Sequence, residues 1–140
     1  MKKICVIALC ISILITGGCN RNDDLQQFAA TRAMLLGKWQ LDKSIEEYYK
    51  PVPVLQEREE TSGTTGDTVI FKNDNLVYAY RTLSTGVEEE IFEYTLVNDS
   101  TVIIDDEAWR IRQLTAHELT LYQEETENDE RDIRVGYFIR

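Results

Sequence analysis

The spacing of apolar residues changes twice along this chain. Residues 4–15 are apolar apart from Ser12. From Leu25 the apolar positions Leu25, Phe28, Ala29, Met34, Leu35 and Leu36 follow a helical period, with Asp23 or Asp24 placed to cap the start and Gly37 to stop it. This spacing predicts a short helix from about residue 24 to 36. From Gly37 onward the period is two, which predicts strands. They fall at residues 37–42, 68–72, 76–83, 87–97, 101–105, 107–114, 118–124 and 131–139, with turn residues between most of them. Residues 50–66 hold Lys50-Pro51-Val52-Pro53, the run Glu57-Arg58-Glu59-Glu60 and Ser62-Gly63-Thr64-Thr65-Gly66, and are expected to form a long mobile connection.

Turns recurring at this spacing fit an antiparallel barrel or sandwich, and the lack of helical crossovers excludes a parallel sheet. Alternation assigns Trp39, Leu41, Phe92, Tyr94, Leu96, Trp109, Ile111, Leu119 and Leu121 to the inner face. It also places Ile133, Val135, Tyr137 and Ile139 inside, with Asp132 and Arg134 outside. Eight strands with one apolar face can close on themselves and remove their edges.

The N-terminal segment reads differently. Lys2 and Lys3 precede the apolar run, which falls short of the roughly 20 residues needed to span a bilayer. A basic start, a short apolar run and small residues describe a secretory signal. Thr16-Gly17-Gly18-Cys19 resembles the lipobox of bacterial lipoproteins. That resemblance implies cleavage before Cys19 and diacylation of its thiol. Residues 1–18 are then a signal peptide, 19–24 a tether and 25–140 the folded domain. Cys5 and Cys10 leave with the signal, so the remaining chain has no disulfide framework and no cysteine metal site. Two acyl chains give stable membrane attachment. Asp23-Asp24 behind the cysteine also resembles the surface-export signal of lipoproteins from Bacteroidetes.

Charge and chemistry narrow the function. The formal charge of −10 opposes nucleic-acid binding, because phosphates repel it. His117, the one histidine, falls in an expected turn, and Ser84 and Ser100 are turn formers rather than nucleophiles. No catalytic constellation and no cofactor motif is visible, and the Gly63–Gly66 stretch is not followed by the Lys-Ser/Thr of a phosphate loop. Glu88-Glu89-Glu90 and the acidic residues from Glu124 to Glu130 read as solvated edges, not as a calcium loop. Asp67-Thr68-Val69 and Asp99-Ser100-Thr101 resemble O-glycosylation sites of Bacteroidetes, but turn chemistry is the preferred reading of both. The aromatic set Trp39, Tyr78, Tyr80, Phe92, Tyr94, Trp109 and Tyr137 either lines a cavity or fills the barrel.

Leu36-Gly37-Lys38-Trp39-Gln40-Leu41 looks like the G-x-W start of lipocalins. With the lipobox, the short helix, the segment Trp109–Leu121 and the ending Gly136-Tyr137-Phe138-Ile139-Arg140, the chain resembles small lipocalin-like lipoproteins of Bacteroidetes. The resemblance implies an all-β, eight-stranded up-and-down barrel with a short N-terminal helix, anchored at the outer membrane of the cell envelope through Cys19. It implies that Trp39 packs under a late arginine, Arg140 or Arg134, at the closed end. The T-D-Y motif of lipocalins is absent. Two functions follow as expectations. One is binding of a small apolar ligand among the seven aromatics named above. The other is a solid barrel whose loops, the long 50–66 segment among them, or whose charged outer face meet an envelope protein partner.

Overall fold

The computed structural model describes residues 21–140. The expected signal peptide and Cys19 lie outside the described residues. The chain runs α1 (Arg21–Leu35), β1 (Gly37–Tyr49), β2 (Leu55–Ser62), β3 (Thr68–Phe71), β4 (Leu76–Leu83), β5 (Gly86–Asn98), β6 (Thr101–Ile104), β7 (Glu107–Leu114), β8 (Glu118–Glu127) and β9 (Glu130–Ile139).

All strands are antiparallel, in the order β2-β1-β3-β4-β5-β6-β7-β8-β9, and β9 pairs back onto β1. The result is the expected closed eight-stranded barrel, with β2 outside the ring. The 50–66 segment departs from expectation. β1 continues to Tyr49, and β2 returns along it in register from Lys43↔Ser62 to Tyr49↔Leu55. β2 and β3 share one edge of β1, which β2 covers at residues 43–49 and β3 at 37–40. The β1–β2 ribbon was hidden because β2 is exposed along its whole length and shows no alternation. The break between β2 and β3 needs a glycine. A Cβ on Gly63 would lie 2.0 Å from the Leu41 carbonyl oxygen.

The helix begins at Arg21, so residues 21–24, expected as tether, form its first turn. It ends before Gly37, whose φ of 108° suits a helix stop. Its packed side is Phe28, Thr31 and Leu35, whereas Leu25 and Met34 remain exposed. Gln27 donates to Asp99, and Arg32 donates to the Asn73 carbonyl and the Asn75 side chain. These bonds lay α1 across the strand turns and close that end of the barrel.

The core gathers Leu35, Trp39, Phe71, Val77, Tyr94, Leu96, Val102, Leu119 and Leu121. Register corrects the inner face of the last strand. Leu119 pairs with Phe138 and Leu121 with Gly136, so Arg134, Gly136 and Phe138 point inward. Ile133, Val135 and Tyr137 point outward and join Ile45 and Tyr122 in a second cluster on the outer face. Ile139 is exposed. Cations shield this outer cluster: the Arg112 guanidinium lies 3.3 Å from the Tyr122 ring centroid, and the Lys43 ammonium lies 5.3 Å from that of Tyr137. On β1 a bulge between Leu41 and Lys43 inserts Asp42 and shifts the alternation. Trp39 and Leu41 face inward before it, Ser44 and Glu46 after it.

Candidate functional site

The barrel is closed at one end and open at the other. At the closed end Trp39 is fully buried, and its indole N–H donates to the Leu35 carbonyl at 2.9 Å. The Arg140 guanidinium lies 3.7 Å from the Trp39 ring centroid and donates to the Met34 and Leu36 carbonyls at 2.7 and 2.9 Å. Of the two arginines considered for this place, Arg140 takes it. The pairing satisfies carbonyls that the helix C-terminus leaves open.

Above this plug Phe71 and Tyr94 meet edge to face at 5.1 Å, and the Tyr94 hydroxyl donates to the Lys72 carbonyl at 2.7 Å. Burial raises the Tyr94 pKa above the ordinary phenol value, so it stays a neutral donor.

An open cavity of about 390 Å³ lies above the plug. This is within the range of small-molecule sites, about 300–1,000 Å³. Its floor and walls are Leu41, Val69, Phe71, Val77, Ala79, Phe92, Ile104, Trp109, Leu121 and Phe138. Its rim is charged: Glu46, Arg81, Glu90, Asp105, Glu107 and Arg134. β6 has four residues, and the turn that follows it, with Asp105 and Asp106 both at positive φ, brings Asp105 to the rim on that side. Arg134 reaches across to Glu107 at 2.8 Å, and its guanidinium lies 5.5 Å from the Trp109 ring centroid. Gly136 belongs to this wall, where a side chain would meet the Phe138 ring.

The seven aromatics expected to face a ligand divide. Phe92 and Trp109 line the cavity. Trp39 and Tyr94 are core residues beneath it. Tyr78 and Tyr80 pair in register with Ile91 and Glu89, on the opposite face of β4 from the lining residues Val77 and Ala79. The Lys72 ammonium lies 3.5 Å from the Tyr78 ring centroid, and Tyr80 borders an adjoining groove that shares Glu46, Ala79, Arg81 and Phe138 with the cavity. Tyr137 belongs to the outer cluster.

The pattern gives Ala79, Gly136 and Phe138 no place in a cavity, and among the rim residues it takes Glu90 for a solvated edge and Arg134 for an outward residue. One signal pointed to part of them. If Arg140 sits over Trp39, every second residue before it on β9 faces inward, which selects Phe138, Gly136 and Arg134.

A second support stabilises the mouth. Asp67 accepts from the Thr82 N–H at 2.6 Å and from the Thr64 N–H and hydroxyl at 2.7 and 2.8 Å. These backbone bonds, Thr82 first, hold its carboxyl below the ordinary aspartate range. They tie the β2–β3 break to the upper part of β4.

No family model and no curated protein matches the chain. Among solved structures it is similar to bovine odorant-binding protein. One is a deswapped triple mutant, at 13% identity over 76% of this chain and 74% of that one, with a TM-score of 0.43. Another is a complex with a selenium-containing odorant, at 14% identity over 76% and 72%, also with a TM-score of 0.43.

Proposed function

We propose that this chain is an envelope lipoprotein, anchored through Cys19, whose barrel holds a small apolar or amphipathic ligand. The observation that carries the binding reading is the open cavity of about 390 Å³ with an apolar floor and a charged rim. A packed barrel is favoured by core burial, yet here the aromatics divide between plug, wall and outer face. The anchoring reading rests on the basic start, the apolar run and Thr16-Gly17-Gly18-Cys19. The outer-membrane location rests on the resemblance to small lipoproteins of Bacteroidetes. A protein partner now has less support, because residues 55–62 form a strand instead of a free loop.

Two experiments test this. Native mass spectrometry of the chain from residue 20 onward, purified without detergent and incubated with a library of apolar small molecules, reads the binding half. Saturable one-to-one adducts are expected, and bare protein at every concentration would contradict it. Cys19→Ser expressed in a lipoprotein-processing bacterium reads the anchor. The variant is expected in the soluble envelope fraction, and unchanged membrane retention would overturn lipidation at that thiol.

A further inference from the structure

The cavity mouth is chemically one-sided. Of its two arginines, Arg134 is engaged with Glu107. Glu46 and Glu90 face the same space, and neither has an ion-pair partner among the described residues.

These groups share one property: they accept hydrogen bonds or attract positive charge. The approach repeats it. A neighbouring recess shares Glu46 and Arg134 with the mouth, and its further lining is Glu47, Glu57, Glu59, Glu125 and Asp132 beside Tyr48 and Ile133. Such a slope raises the local concentration of cations. A bare metal ion fits poorly, because no group of three His, Cys, Asp or Glu among the described residues is arranged to hold one. Arg81 is the opposing feature, a rim cation with no ion pair among the described residues, but its cross-strand neighbour is Glu88. An anionic head group would meet Arg81 only in the company of Glu46 and Glu90.

We infer that the ligand is an amphipathic cation, an apolar body with an ammonium group. The body lies on Phe71, Phe92 and Phe138, and the ammonium lies among Glu46 and Glu90. The inference rests on the ligand-binding reading above and assigns its head group.

The test is a chain-matched series: decylamine, decanol and decanoate, titrated by calorimetry at neutral pH and low salt against the chain from residue 20 onward. Decylamine is expected to bind tightest and decanoate weakest. Glu46→Gln with Glu90→Gln is expected to weaken decylamine about fivefold or more and leave decanol unchanged. Arg81→Gln is expected to tighten decylamine. Decanoate binding as well as decylamine, or decylamine binding no better than decanol, overturns the cationic head group while the cavity reading stands. Decylamine affinity undiminished in the double variant means adsorption to the acidic surface and also overturns it. If none of the three binds, the ligand reading itself falls.

Discussion

Arg140 and Asp67 do their work through backbone groups. Arg140 covers Trp39 and satisfies two carbonyls at the helix end, a role that the resemblance to lipocalins implies for Arg140 or Arg134. Asp67 was not legible, since Asp67-Thr68-Val69 looks like any turn and its main partner, Thr82, lies 15 residues away. The carboxylate has a lowered pKa in the folded chain, so the unfolded chain binds the proton more readily. Its contribution is therefore fully present above the ordinary aspartate value, about 4, and is lost as pH falls through the lower folded value. Asp67→Ala is expected to cost about 2 kcal/mol at neutral pH, from three lost charge-assisted hydrogen bonds. Urea midpoints at pH 7 and pH 3 check this: the gap between the two proteins should narrow at pH 3, and an equal gap at both would remove Asp67 from the account.

At the scale of elements, the strands that alternate strongly were readable and the ribbon that does not was missed. β5 and β8 carry the inner residues Phe92, Tyr94, Leu96, Leu119 and Leu121 at every second position, and β7 does so at Trp109 and Ile111 until its register shifts before Gln113. β1 does so only until the Asp42 bulge, and a bulge leaves no composition signal. β9 reverses the expected faces because its apolar residues Ile133, Val135 and Tyr137 meet the outer cluster at Ile45 and Tyr122, whereas its inward face carries Arg134, Gly136 and Phe138. β2 gave no signal because all its residues are exposed. It pairs with β1 alone among the described residues, and its free edge carries charged side chains that discourage association. Native-state hydrogen exchange should therefore find the β2 amides among the first strand amides to exchange, ahead of β8 and β9, which lie within the closed ring. Protection of β2 equal to that of β8 would mean that the ribbon is packed more firmly than its exposure implies.

For the whole molecule, closure was legible and hollowness was not. Eight alternating strands can end as a filled or an open barrel, and the choice depends on which side chains meet across the interior. Here small residues at Ala79 and Gly136, and the shortness of β6, leave space above the Phe71–Tyr94 pair. None of these is conspicuous in a linear pattern, whereas the conspicuous tyrosines Tyr78, Tyr80 and Tyr137 lie on other faces. The charge of the chain, unhelpful for the fold, becomes informative once the mouth is located, because unpaired carboxylates collect there.

The most direct measurement of the central claim, that this space is a binding site, uses the tryptophans. Trp109 lines the cavity, whereas Trp39 is sealed at the closed end, so a ligand in the cavity should change Trp109 emission. Decylamine should be titrated into the wild-type chain and into Ala79→Phe, which fills the wall with a residue suited to a strand. Thermal melting of both establishes that each is folded. The account predicts saturable one-site binding by the wild type and affinity at least about tenfold weaker in the variant. Equal binding by two folded proteins would contradict it.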